Sequence, residues 1–116
     1  MVESGGVEDL LQQADSWARR FKMLGDPTRL RLLAIMHHRA PGTTTVSELA
    51  EFAQVRVPTA SAALRAMEAS GLVHGSRVGR EVRYVLSDPE IHRILHDAGF
   101  SHDSYGHAAH WNAHKR

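Results

Sequence analysis

The sequence predicts one mainly α-helical domain with a single small β-hairpin, in the order α-α-α-α-β-β-α. Three observations carry this prediction. Apolar residues recur at spacings of three and four from residue 7 to 24, which is typical of an amphipathic helix. Asp-Pro pairs, which commonly start helices, occur at 26–27 and at 88–89. Apolar and polar residues alternate around Gly79, as they do in a two-stranded hairpin.

The remaining elements follow from local helix and turn signals. The second to fourth helices are predicted over residues 28–38, 46–53 and 59–70, the hairpin over 74–86 with its tip at 78–80, and the last helix over 91–98. Only a short break, residues 54–57, separates the third helix from the fourth. The third and fourth helices are therefore expected to pack as a closely connected pair.

The 116 residues predict a single domain over 1–116, with flexible tails at 1–6 and 105–116. The chain has no cysteine, which excludes disulfides and thiolate metal sites. The first fifteen residues are acidic and contain no Lys or Arg, so no signal peptide is expected. No apolar run is long enough to span a membrane. These features predict a cytoplasmic protein that does not associate with membranes.

Two short helices separated by a tight break, followed by a hairpin with a basic tip, are the pattern of a winged helix-turn-helix. The second helix of such a pair fits the major groove of double-stranded DNA. Between residues 56 and 84, five arginines outnumber two glutamates, which suits contact with phosphates but is also common on solvated surfaces. The predicted DNA-binding residues are Arg56, Thr59, Ser61, Ala62, Arg65, Arg77 and Arg80.

Five segments carry a resemblance to a known family. They are Leu24–Leu33 before the helix pair, Val46–Ala50, Leu64–Met67 and Gly71–Val73 within and after it, and Gly79–Tyr84 in the hairpin. Together they resemble the ArsR/SmtB repressors over most of the chain. The resemblance implies a homodimer built from the first and last helices, binding to a palindromic operator, and repression controlled by a ligand, commonly a metal ion.

The sequence departs from the family pattern in the fourth helix. Many relatives carry a polar pair where this chain has Ala62 and Ala63, so side-chain hydrogen-bond donors are missing there. Base readout is then expected to depend on neighbouring polar residues, on a methyl contact from Ala62 and on DNA shape. Independently, the apolar stripe of the first helix is too extensive for a free surface, and Ile91, Ile94 and Leu95 of the last helix add a second apolar patch. Both patches predict a homodimer formed through the first and last helices.

The sequence carries only part of the metal site that the family resemblance implies. Metal-sensing members of the family place Asp-x-His on the last helix and two further donors near the end of its counterpart. Asp88 and Glu90 fall at the first two of these positions, but Ser101 and Ser104 fall at the others. The four-donor set that the resemblance implies is therefore incomplete in this chain.

Histidines offer two substitutes for the missing donors. His92 and His96 lie one helical turn apart and are able to join Asp88, or His102 of the partner subunit. Alternatively, the C-terminal histidines are able to close on Asp88 or Glu90; these are His107, His110 and His114. Nitrogen and oxygen donors without sulfur favour nickel, with cobalt or zinc as alternatives, whereas arsenic, cadmium and mercury sensing are not expected.

Three functions fit these observations to different degrees. The leading hypothesis is a metal-responsive, DNA-binding repressor that acts as a homodimer. The alternative keeps DNA binding but assigns sensing to a partner protein, with the incomplete metal site silent. A metal-dependent hydrolase is a third reading, but a catalytic site needs a concave pocket and an open coordination position. A chain this short, with its histidines on one helix and a tail, offers little of either, so it is not expected to be an enzyme.

Overall fold

The structure, a computed structural model, describes the backbone of residues 2–101 and the side chains of residues 6–101. Its elements are helices α1 (Val2–Leu24), α2 (Pro27–His38), α3 (Val46–Ala53) and α4 (Val57–Ala69), strands β1 (Val73–Val78) and β2 (Glu81–Leu86), and helix α5 (Pro89–Asp97). This order confirms the predicted fold class, a mainly helical winged helix-turn-helix with one hairpin.

Helices α2 and α3 begin where their capping residues predict, whereas α4 begins at Val57, two residues earlier than predicted. The Asp26 carboxylate accepts the Arg29 N–H at 3.0 Å at the start of α2. Before α3, the Thr45 hydroxyl accepts the Glu48 N–H at 3.1 Å, and the Glu48 carboxylate accepts the Thr45 N–H at 2.9 Å. This reciprocal pair satisfies two backbone donors that the first turn of a helix leaves unpaired.

The hydrophobic core lies between α2, α3, α4, the base of the hairpin and α5. Its largest fully buried side chains are Leu32, Leu33, Leu49, Leu64, Met67, Leu72, Val73, Ile91 and Leu95. Helix α2 packs against both α3 and α4 and also contacts α5. It is therefore the element that connects the helix-turn-helix pair to the C-terminal helix. Because Ile91 and Leu95 are buried in this core, the prediction that they form part of a dimer surface is wrong.

Helix α1 contributes little to this core. Only the end of the helix, through Met23 and Leu24, packs against the buried cluster. The exposed fractions of Val7, Leu10 and Leu11 are 52%, 63% and 60%. The helix begins at Val2, within the segment 1–6 that the sequence predicted to be a flexible tail. No helix within residues 2–101 is both long enough and apolar enough to cross a membrane.

Strands β1 and β2 form an antiparallel hairpin, the wing, whose last pair is Val78 with Glu81. A two-residue turn results, and Gly79 adopts a φ of 65° there, as predicted for the tip. Gly75 has a different role, since a Cβ atom at this position would lie 2.8 Å from Cε1 of Tyr84. The absence of a side chain at Gly75 lets the Tyr84 ring lie across β1.

Candidate nucleic-acid interface and histidine cluster

The turn between α3 and α4 fixes the face that α4 presents. Gln54 ends α3 in the left-handed conformation, with a φ of 63°, and the chain enters α4 three residues later. Ala60, Leu64 and Met67 of α4 point into the core. The opposite face is therefore exposed, and it carries the predicted DNA-binding residues Thr59, Ala62 and Arg65, with Arg56 at the start of the helix and Ser61 half-buried at its margin.

The predicted arginines are exposed and uncommitted. Within residues 6–101, the side chains of Arg56, Arg65, Arg77 and Arg80 make no hydrogen bond or ion pair with the protein. Arg83 behaves differently, because its guanidinium donates to Glu81 Oε1 at 2.8 Å and to the Gly42 carbonyl at 3.3 Å. Arg83 thus ties the wing to the loop before α3, whereas the other four guanidinium groups are available to phosphates or base edges.

A carboxylate that sequence reasoning counted only as a charge joins the wing to α4. Glu68 Oε2 accepts the Gly75 N–H at 3.0 Å, and His74 Nδ1 lies 3.8 Å from the same oxygen. Burial and the nearby Glu68 carboxylate raise the pKa of the Tyr84 hydroxyl, and the Arg65 guanidinium opposes this rise. The wing is therefore held in a fixed orientation relative to α4.

Two of the predicted metal donors meet a third histidine. The exposed fraction of His37, on α2, is only 4%, and its ring centroid lies 4.9 Å from that of His92 and 6.5 Å from that of His96. These three residues form the histidine cluster. Sequence reasoning did not single out His37 as a donor, and no local pattern indicates that it meets α5, since His92 lies 55 positions further along the chain.

The other predicted metal donors do not join this cluster as a set. Asp88 Oδ2 accepts from Arg20 Nε at 2.9 Å, and Asp88 Oδ1 accepts the Glu90 N–H at 2.9 Å, so both oxygens have protein partners. The Glu90 side chain is exposed. His102, His107 and His110 lie outside the described residues, as do Ser104 and His114. Within the described part of the chain, no three histidine or carboxylate side chains are arranged to hold a metal ion.

Comparisons with known proteins agree with this architecture. A family model described as a helix-turn-helix domain matches residues 24–75. A protein named as a probable mercury resistance operon repressor from Streptomyces lividans is 36% identical over 66% of this chain and 59% of its own length. The HTH-type transcriptional regulator NmtR of Mycobacterium tuberculosis is 32% identical over 75% of this chain and 70% of its own length. The chain belongs to the ArsR/SmtB family of winged helix-turn-helix transcriptional repressors.

Structural similarity extends the ArsR/SmtB assignment beyond the helix-turn-helix. The homodimeric winged helix-turn-helix DNA-binding domain Mb0332 from Mycobacterium bovis, described as a possible ArsR-family regulator, has a TM-score of 0.65 and 27% identity. The similarity covers 76% of this chain and 79% of Mb0332. The two curated relatives are named as a repressor and a transcriptional regulator, which agrees with the expectation that this chain is not an enzyme. The chain spans less than two thirds of the length of the Streptomyces relative.

Proposed function

We propose that the protein is a homodimeric repressor that binds a palindromic operator in double-stranded DNA and responds to a transition metal, with nickel the preferred ion. The observation that carries DNA binding is the row of uncommitted arginines on α4 and the wing, at Arg56, Arg65, Arg77 and Arg80. Guanidinium groups on an exposed helix and an adjoining hairpin suit phosphate contacts together with readout of base edges.

The apolar surface of α1 supports the homodimer. The α1 apolar stripe, defined here as Val7, Leu10, Leu11 and Phe21, is more than half exposed at every position. A large apolar patch of this kind marks an interaction surface in a folded protein. A two-fold dimer would also present two α4 helices to successive major grooves, which matches a palindromic operator. The relative Mb0332 is itself described as homodimeric.

The donors that the chain offers support nickel. The Streptomyces relative is named for mercury resistance, but this chain has no cysteine thiolate to bind a soft ion. Its histidines and carboxylates suit nickel, cobalt or zinc, and nickel binds such donors more tightly than cobalt does. The predicted donors within the described residues are Asp88, Glu90, His92 and His96, and the C-terminal histidines are further candidates.

One observation favours a second candidate function, in which a partner protein controls the repressor. Asp88, the family-position donor, already accepts from Arg20 and from the Glu90 N–H at the start of α5, so a metal would compete with these partners for the carboxylate. In this alternative the α5 site is silent, and DNA binding does not depend on a metal.

Selection of operator sequences followed by metal titration tests both candidates. Duplexes selected from a random pool by the purified protein should share a palindrome, and fluorescence anisotropy should give a Kd at least 1,000-fold lower than for unrelated DNA. Nickel should change this Kd at least tenfold. A palindrome without a metal response would support the partner-controlled alternative, and the absence of any selected sequence would contradict repression through direct DNA binding.

A further inference from the structure

We propose that His37, His92 and His96 form a transition-metal site within one protomer that joins α2 to α5. The inference rests on the proposed function in taking a divalent transition metal as the ligand, but it assigns the donors. It differs from the α5 positions to which the family resemblance points, because one donor belongs to α2 and neither Asp88 nor Glu90 takes part.

The position of His37 is the first argument. Its neighbours Leu33 and Met36 belong to the hydrophobic core, and His37 is almost completely buried beside them. Histidine is costly to bury in such a place unless its ring nitrogens have polar partners. The ring of His37 faces α5, where His92 and His96 lie one turn apart on the adjoining surface. Three imidazoles from two helices thus meet at the edge of the core.

The ring separations are the second argument. A metal–nitrogen distance of about 2.1 Å places the centroid of each imidazole about 3.2 Å from the ion. Two imidazoles on one ion therefore have centroids about 4.5 Å apart at a right angle and about 5.2 Å apart at the tetrahedral angle. The 4.9 Å separation of His37 and His92 falls within this interval, whereas His96, at 6.5 Å from His37, must move closer. As the three side chains lie in the structure they do not form a metal site, so binding requires a rotation that brings the His96 ring towards His37.

The tautomer of His37 is the third argument. Its Nδ1 lies 3.3 Å from the Ser101 carbonyl oxygen, which only accepts hydrogen bonds. In the neutral tautomer that donates from Nδ1 to this carbonyl, Nε2 is the nitrogen able to bind a metal. A cavity of about 100 Å³, lined by both His37 and His92, adjoins the rings and has room for an ion with bound water.

The location of the site gives it a regulatory consequence. Helix α2 packs directly against α3 and α4, so a metal that draws α5 towards His37 acts on the helix that supports the DNA-reading pair. The link lies within one subunit and needs no donor from a second copy. The ion is thereby coupled to the orientation of α4 through one intervening helix.

Metal titration of the full-length protein tests the site. Nickel affinity is measured by calorimetry against a competing chelator, and cobalt binding by the visible absorption of its d–d bands. His37→Gln should lower nickel affinity at least tenfold and change the cobalt spectrum, and His92→Gln and His96→Gln should do the same. His38→Gln is the matched control on α2, and it should leave affinity within about twofold of the original protein.

A fold check and one further variant, which removes the C-terminal histidines, keep the test decisive. Because His37→Gln affects a buried residue, its fold is checked by circular dichroism, and His92→Gln, at an exposed position, carries the test if His37→Gln unfolds. Replacing His102, His107, His110 and His114 together with Gln should leave a site that still binds nickel tightly.

The outcomes separate the inference from the proposed function. If the variant without the C-terminal histidines loses nickel while His37→Gln and His92→Gln retain it, the inference is overturned, and the proposed metal response still stands. If nickel binds at the cluster but operator affinity does not change, the site stands and the metal-responsive function fails. An original protein that does not bind nickel tightly contradicts both.

Discussion

The reading half of the molecule, which comprises α3, α4 and the wing, contrasts with helix α1. In the reading half, three polar contacts within the chain fix the elements, Thr45 with Glu48, Glu68 with Gly75, and Arg83 with Gly42, while the arginines proposed to contact DNA stay exposed. Helix α1 instead leaves its apolar stripe in contact with solvent. The contrast agrees with the proposed homodimer, in which each protomer would carry a complete DNA-reading surface and α1 would bury its apolar face against a second copy.

The largest expected effect comes from a charge in the α1 apolar stripe. Leu10→Asp should convert the dimer to monomers of 12.9 kDa without unfolding them, because Leu10 is 63% exposed within the chain. Burying an unpaired carboxylate in the interface costs several kcal/mol, so dimer affinity should fall more than hundredfold. Sedimentation equilibrium measures the change, and circular dichroism checks the fold. Leu10 is a better choice than Trp17, whose ring packs on Phe21 and under Arg20.

A matched variant separates interface loss from added charge. Gln12→Asp places the same charge on an exposed polar position of α1 and should leave the dimer intact. Operator affinity should fall with Leu10→Asp, because two linked reading helices bind two half-sites far better than one. If Leu10→Asp remains dimeric at micromolar concentration, the α1 apolar stripe is not the interface.

The sequence predicted the reading half better than the contacts between distant segments. Caps, proline positions and the glycine turn act over a few residues, so the order of elements and the wing tip at Gly79 were predicted correctly. The start of α1 at Val2 was missed because glycines near the N-terminus have low helix propensity. The Arg20–Asp88 ion pair and the approach of His37 to His92 depend on tertiary packing, which no local pattern encodes.

A smaller effect is expected from the wing arginines. Replacing Arg77 and Arg80 with Ala should weaken binding to all DNA sequences similarly, because these exposed guanidinium groups are expected to contact phosphates. Each lost contact lowers the slope of log K against log salt by about 0.9, so a dimer should lose about four units of slope. Fluorescence anisotropy over a range of salt concentrations measures the slope.

The control for the wing is an arginine outside the reading half. Arg93→Ala removes an exposed charge from α5 and should leave the salt slope unchanged. If the double wing variant also leaves the slope unchanged, the hairpin does not contact DNA. If instead it weakens binding to only some sequences, the wing reads bases or minor-groove shape, and its role is specificity.

The smallest expected effect is the pH dependence of the capping contact between Glu48 and Thr45. It tests whether the reading half is complete within one protomer. A hydrogen bond from the Thr45 backbone N–H lowers the pKa of Glu48 below 4.5; desolvation opposes this shift, while the Thr45 hydroxyl, Arg39 and Arg83 support it. The folded state therefore favours the carboxylate, and its stabilising contribution is fully present above the unfolded pKa and is lost as pH falls through the lowered folded pKa. Glu48→Gln accepts the same hydrogen bond without titrating.

The free-energy difference between the original protein and Glu48→Gln should thus be constant near neutral pH and shrink below about pH 4.5, as measured by urea unfolding. Glu51→Gln corrects for the loss of one negative charge from α3. The decisive comparison repeats the measurement in the Leu10→Asp background. An unchanged pH dependence there means that the cap acts within the protomer, as the contacts of Thr45 and Glu48 indicate. If the pH dependence disappears in the Leu10→Asp background, the Thr45–Glu48 contact stabilises α3 only when α1 is paired. The reading half would then depend on the dimer for its fold.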